Sequence, residues 1–174
     1  MSSLFSGAGG GLLATKYLSW LYEVKKLVRS AQTANWCRLP YPGHLKGCPN
    51  YGKTTKCPPQ APTVEEFFDL SKPLYIVHSE FNVLIHMCKM KQQHPQWSDR
   101  QCRCVLYWQP KSRKQLKERI KIAHAYLGTN TDTSCPEAMG VNVYATARVS
   151  GLKLEKVREL SICRHVALLG WKIN

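Results

Sequence analysis

Three of the eight cysteines are followed directly by proline, namely Cys48, Cys57 and Cys135. With eight cysteines and ten prolines among 174 residues, chance predicts fewer than one such pair. Proline fixes φ and removes a backbone donor, so it constrains how the chain leaves a ligand. A Cys-Pro step also occurs in ferredoxin-type cluster loops. Together with Cys37, these residues form a candidate set of four thiolates that suits tetrahedral zinc or a 4Fe–4S cluster.

The spacing of the candidate ligands favours a cluster over zinc. Ten, eight and seventy-seven residues separate Cys37, Cys48, Cys57 and Cys135. Zinc ribbons favour paired short spacings such as C-x-x-C, and this set contains none. Buried thiols or a redox pair without metal are the remaining alternatives. His44, between the first two cysteines, is a candidate substitute ligand.

The other cysteines are predicted to have no role at this site. Cys102 and Cys104, two apart on a helix, point about 200° from each other and cannot easily share one metal. Cys104 is interpreted as a packed thiol. Cys88 and Cys163 are predicted to be packing residues.

The segment that carries three of the candidate ligands is predicted to be an irregular loop. Six prolines and three glycines lie between Trp36 and Pro62, a density that breaks any regular element. A structureless loop of this length inside a compact domain is usually functional. A bound metal would supply cross-links that the segment otherwise lacks.

The remaining chain reads as an α+β domain with a small sheet. Apolar residues at three- and four-residue steps predict a helix over residues 12–32. Further helices are expected over residues 80–91 and 142–150, the latter ended by Gly151. Residues 74–77 and 152–154 read as strands, and residues 166–169 as strand or helix. Capping boxes that begin at Thr63, Ser98 and Ser112 predict three helix starts.

The charge predicts an anionic partner. Twenty-five basic and eleven acidic residues give a net charge of +14, which favours association with nucleic acid or an acidic protein. The helix predicted from Ser112 carries the densest basic face. Its residues are candidate contacts to a phosphate backbone: Lys111, Arg113, Lys114, Lys117 and Lys121.

The sequence predicts an intracellular protein without a membrane anchor. No apolar run reaches the roughly 18 residues of a membrane span. The first residues lack the basic and apolar regions of a secretory signal. In a reducing cytoplasm, clustered cysteines more often indicate metal or catalysis than disulfides.

Two separated motifs resemble a family of uncharacterised microbial proteins that are predicted to bind metal. One runs from Cys37 through Gly-Cys48 and Tyr-Gly-Lys53 to Cys57-Pro-Pro, and the other is PEAMGVNVYATARVSG, residues 136–151. Residues 36–154 resemble the short version found in bacteriophages. The resemblance implies a metal site at Cys37, Cys48, Cys57 and Cys135, and implies no established reaction. It also places the protein in the cytoplasm of a bacterial host, if it is phage-encoded.

Residues 3–18, which begin with SLFSGAGGGLLAT, resemble the first motif of DNA cytosine-5 methyltransferases, which cradles S-adenosylmethionine. Gly7, Gly9 and Gly10 would allow backbone to approach a ligand. The Pro-Cys nucleophile of those enzymes is missing and the chain is too short for their sheet. Residues 1–32 are therefore interpreted as a methyltransferase-like remnant, and residues 33–174 as the metal-binding domain.

Two functions follow from these observations. The first is a cysteine-ligated iron–sulfur protein with a redox or sulfur-handling accessory role in nucleotide or nucleic-acid modification. The alternative is a nucleic-acid-binding module that zinc stabilises and that catalyses nothing. The sequence leaves open whether the chain is an enzyme, which metal it holds, and its oligomeric state.

Overall fold

The centre of the molecule is a four-stranded antiparallel sheet. A computed structural model describes residues 18–40, 44–155 and 161–173. The strands are β1 (Leu21–Glu23), β2 (Tyr75–His78), β3 (Phe81–Asn82), β4 (Thr131–Thr133), β5 (Ile162–Cys163) and β6 (Val166–Gly170). The large sheet has the order β1-β2-β6-β4, and β3 pairs with β5 in a separate two-stranded sheet.

Five α-helices surround these strands in the described part of the chain. They are α1 (Val64–Phe67), α2 (Val83–Gln93), α3 (Asp99–Cys102), α4 (Gln109–Leu127) and α5 (Val143–Val149). Three short 3-10 helices are also present: Thr33–Arg38, Val105–Tyr107 and Pro136–Met139. The predicted α+β class with a small sheet is confirmed. Every helix in the described part of the chain is too short or too polar to cross a bilayer.

The two central strands are buried on both faces. Successive strand residues point to opposite sides, so Tyr75 and Val77 pack towards α4 while Ile76 packs towards α1 and α5. In β6, Leu169 packs towards α4 and Leu168 packs towards α1 and α5. Burial of each Leu or Ile side chain contributes about 1.5–3 kcal/mol. The sheet therefore fixes the relative positions of α4, α5 and the loops at their ends.

The helix predicted over residues 12–32 is wrong in its described part. Residues 12–17 lie outside the described residues, as do the three glycines of the methyltransferase-like motif. Residues 21–23 form β1, which pairs antiparallel with β2 and places Leu21 opposite Val77. The apolar spacing suited a helix, but pairing with a buried strand satisfies the backbone and buries Leu21 almost completely.

Two of the three capping boxes are confirmed. Thr63 caps α1 and Ser98 caps α3, each with a reciprocal bond from the third helical residue. Ser112 does not begin a helix, because α4 already begins at Gln109 with Pro110 in its first turn. The hydroxyl of Ser112 is buried and lies 2.8 Å from Ser79 Oγ and 2.9 Å from His165 Nδ1. This serine therefore links α4 to the ends of β2 and β5.

The other predicted elements have mixed outcomes. Asn142 caps α5, and Gly151 follows with φ of 91°. Residues 166–169 lie within strand β6. The helix expected over residues 80–91 begins only at Val83, after β3. Residues 152–154 do not form the predicted strand.

Candidate metal centre and neighbouring cavity

The loop between Cys37 and Cys57 is held together by backbone hydrogen bonds rather than by regular structure. Cys37 lies in the 3-10 helix Thr33–Arg38, and its carbonyl accepts a hydrogen bond of 2.7 Å from the Cys48 amide. The Cys57 carbonyl accepts from Ala61, and the Cys57 thiol accepts from Thr54 Oγ1 at 3.2 Å. The 3-10 helix reaches into the start of the segment that was predicted to lack regular structure, and the described residues from 44 to 57 form no helix or strand.

Gly47 permits the close approach of Cys37 and Cys48. Its φ is +83°, and a Cβ built on it would stand 2.5 Å from the backbone oxygen of Cys37. It would also stand 2.8 Å from the carbonyl carbon of Arg38. Only glycine fits at position 47 without moving the backbone of Cys37 and Arg38.

Cys135 approaches this loop although it lies seventy-eight residues after Cys57. The Ser30 amide donates to Gly140, and the Asn142 amide donates to the carbonyl of Val28, both at 2.8 Å. These bonds align residues 28–30 with residues 140–142. The 3-10 helices that carry Cys37 and that follow Cys135 consequently pack against each other.

Two of the four candidate ligands, Cys37 and Cys135, are influenced by the charges of others. Burial raises the pKa of Cys37, and Cys48, Glu137, Cys57 and Cys135 raise it further. Burial likewise raises the pKa of Cys135, with added contributions from Glu137 and Cys57. Cys37 thus lies within electrostatic range of the other three candidates. The same neighbourhood includes Glu137, an acidic side chain that the sequence argument passed over.

The geometry does not amount to a formed ligand sphere. Within the described ranges, no three His, Cys, Asp or Glu side chains lie close enough together to hold a metal ion. The donor chemistry fits zinc or a 4Fe–4S cluster, since both take four thiolates. A metal would have to draw these side chains closer than they lie. His44 is exposed.

The remaining cysteines divide into exposed and buried ones. Cys88 is exposed, so its predicted packing role is wrong. Cys102 and Cys163 are buried, and Cys104 is half-buried. Burial raises the pKa of Cys163 to about 11, against a lowering contribution from Arg164.

Cys163 should therefore react slowly with alkylating reagents. The thiolate is the nucleophile, and a rise in pKa from 9.0 to about 11 cuts the thiolate fraction at pH 8 about a hundredfold. Because the folded pKa is the higher one, stability should fall as pH rises from 9 towards 11. Iodoacetamide labelling at pH 8, followed by peptide mass spectrometry, gives the labelling rate of Cys163 in native and in urea-denatured protein. The ratio of these two rates measures the protection. Exposed Cys88 is the control, and equal native rates at both cysteines would contradict the prediction.

A cavity of about 800 Å³ opens directly beside Cys135 and Glu137. Helix α4, the β5–β6 connection and the residues around Cys135 enclose it, and Lys56 of the cysteine loop reaches its edge. Of the five basic residues proposed on α4, Arg113 and Lys117 line this cavity. Sequence reasoning missed the cavity, although the run Cys163-Arg164-His165 beside a predicted strand was a usable signal.

The other three basic residues of α4 lie away from this cavity. Ser112, Leu116 and Ala123 form the buried stripe of the helix. Arg113 and Lys117 follow each other four residues apart along one flank of that stripe. Lys111, Lys114 and Lys121 are exposed on the outer face. The predicted nucleic-acid face is thus two sets of cations, and binding of nucleic acid stays a prediction.

No known protein family matches the chain, and neither the characterised proteins nor the solved structures include a significant match. The resemblances described from the motifs therefore stay predictions.

Proposed function

We propose that this chain is a metal-binding protein whose ligands are Cys37, Cys48, Cys57 and Cys135, and that the bound group is an iron–sulfur cluster. The observation that carries the proposal is the contact between the 3-10 helix that holds Cys37 and the 3-10 helix that follows Cys135. Two backbone bonds between residues 28–30 and 140–142 hold these segments together. None of the four cysteines is fully buried.

The donor set determines the chemistry that such a group would supply. Four thiolates would hold a cluster able to take up and release one electron. Around it, Gly47 would hold Cys37 and Cys48 in register. Lys56 would partly offset the negative charge of the thiolates, since it already lowers the pKa of Cys135. These features suit an accessory role in a redox or sulfur-handling reaction.

Zinc is the second candidate for the same ligands. It would stiffen the loop without electron transfer, and the chain would then be a binding module rather than a redox protein. The observation that favours this candidate is the set of exposed lysines on the outer face of α4. Lys111, Lys114 and Lys121 form no ion pair in the described part of the chain.

Purification without oxygen should distinguish the two metals. We expect a brown protein with absorption at roughly 400 nm and about four iron atoms and four sulfides per chain, as cysteine-ligated clusters give. Elemental analysis and a sulfide assay check the result, and exposure to air should bleach the colour. A colourless protein that holds one zinc would replace the cluster with the second candidate. A protein that holds no metal after growth with iron and zinc would contradict both.

A further inference from the structure

The cavity beside Cys135 has four positively charged side chains in its lining. Four cations line it, from the cysteine loop, α4 and the β5–β6 connection: Lys56, Arg113, Lys117 and Arg164. Lys56, Arg113 and Lys117 form no ion pair within the described residues. Arg164 donates to Glu80 at 3.0 Å, but its Nε is buried without a hydrogen-bond partner.

Three acidic residues, Asp132, Glu137 and Glu155, share the lining with the four cations. Asp132 Oδ1 lies 3.1 Å from His124 Nε2. Glu155 accepts hydrogen bonds from the hydroxyl and amide of Ser161 and from the Ile162 amide. An anion entering the cavity would still meet three cations without an ion-pair partner among the described residues, Lys56, Arg113 and Lys117.

A polar floor lies next to the cations. His165 lines the cavity, and its Nδ1 lies 2.9 Å from the buried Ser112 hydroxyl. Its backbone amide donates to Ser79 Oγ. These bonds fix the imidazole, so that its second nitrogen is the one left to contact a ligand. Burial lowers the pKa of His165, and the nearby charge of Arg113 lowers it further, which favours the neutral ring.

The remaining wall is apolar. It consists of Leu116, Ile120, Val143, Leu154 and Val166, with the ring of Tyr144 at the edge. An inorganic ion alone would leave these apolar side chains in contact with water. A volume of about 800 Å³ falls within the range of roughly 300–1,000 Å³ that small organic ligands occupy. The lining thus matches a molecule with an anionic end and an apolar or aromatic body.

We infer that this cavity binds a small phosphate monoester with an aromatic body, of the size of a nucleoside monophosphate. Two guanidinium groups and two ammonium groups suit a doubly charged phosphate, because guanidinium donors match its oxygens in pairs. The apolar wall and Tyr144 receive the aromatic body. This site goes beyond the metal centre, and the two share Cys135 and Lys56 in their surroundings. A nucleic-acid strand fits less well, since the four cations come from three separate segments that line one cavity.

Calorimetric titration with the four nucleoside monophosphates tests the inference. Inorganic phosphate and the uncharged nucleosides serve as comparison ligands. At least one monophosphate should bind more tightly than phosphate and than its own nucleoside, because only it contacts both halves of the cavity. The double variant Arg113→Gln/Lys117→Gln should weaken that binding by about tenfold or more, as expected when charge-assisted hydrogen bonds are lost.

The outer face of the same helix supplies a matched control. Lys114→Gln/Lys121→Gln removes two positive charges from α4, the same number as the test variant. Glutamine is a good helix former in both variants. This control should bind the monophosphate as the unchanged protein does. Circular dichroism and metal content, measured on every preparation, separate loss of this site from misfolding or loss of the metal centre.

Three results would overturn the inference. One is the absence of monophosphate binding at millimolar concentration to folded protein. Another is equal weakening by the two double variants, which would indicate general electrostatic attraction. The third is phosphate that binds as tightly as the monophosphates, which would leave the apolar wall without a role. Tight binding of DNA or RNA that only Lys114→Gln/Lys121→Gln weakens would assign nucleic acid to the outer face of α4, and would count against this cavity if monophosphates then fail to bind.

Discussion

Serine at any one of the four candidate ligand positions should remove most of the metal from the protein. A site closed by four thiolates tolerates the loss of one ligand poorly. The binding free energy of such sites, about 10–16 kcal/mol for structural zinc, also stabilises the fold that holds them. We therefore expect the Cys37→Ser, Cys48→Ser and Cys57→Ser proteins to lose metal and to unfold at a lower temperature. Elemental analysis and thermal denaturation of oxygen-free preparations measure both effects.

Cys88→Ser is the matched control for these substitutions. Cys88 is exposed on α2 and is absent from the groups that shift the pKa of Cys37 or Cys135. It should retain full metal content. Loss of metal from this variant as well would show that the ligand assignment is wrong.

The fourth ligand can be identified by a second pair of variants. Cys135→Ser should lose metal, whereas Glu137→Gln should keep it, because carboxylate is the weaker match to a site of soft thiolates. The reverse outcome would place Glu137 in the ligand set and remove Cys135 from it.

Alanine at Gly47 should have the largest effect of any substitution outside the cysteines. A left-handed residue with a side chain costs about 1–2 kcal/mol. In addition, the new Cβ would lie 2.5 Å from the Cys37 carbonyl oxygen and 2.9 Å from the Cα of Arg38. These are backbone atoms, which cannot move aside as the tip of a flexible side chain would. The hydrogen bond from Cys48 to Cys37 should break, and metal content should fall as in the serine variants.

Gly52 separates the cost of the clash from the cost of the dihedral angle. Its φ is +70°, and a Cβ there would meet no atom within 4 Å. Gly52→Ala should therefore lose only the conformational part of the stability, about 1–2 kcal/mol, and should keep its metal. If Gly47→Ala and Gly52→Ala hold equal amounts of metal, the hydrogen bond between Cys48 and Cys37 does not depend on glycine at position 47.

Local signals in the sequence predicted the local structure well. The capping boxes at Thr63 and Ser98 specify helix starts because both hydrogen bonds form within four residues. The Pro- and Gly-rich stretch around Cys48 and Cys57 excluded regular structure for equally local reasons. The same kind of signal failed at Ser112, where a buried contact to His165 on a distant segment uses the hydroxyl instead.

The predicted helix around Leu21 shows the limit of periodicity. Apolar residues at three- and four-residue steps fit one face of a helix, yet residues 21–23 form a strand. Pairing with the buried β2 decided between the two. That partner lies more than fifty residues away, so no window of local sequence contains the information.

The sequence by itself supplied four candidate thiols, three of them followed by proline, and a surplus of positive charge. Only the tertiary structure decided which of these groups lie near one another. Bonds between residues 28–30 and 140–142 hold the 3-10 helix of Cys37 against the one that follows Cys135. Arg113 and Lys117 of α4 line a cavity, whereas Lys114 and Lys121 of the same helix do not. Residue type is fixed by the chain at each position, whereas proximity depends on hydrogen bonds and packing between segments far apart in sequence.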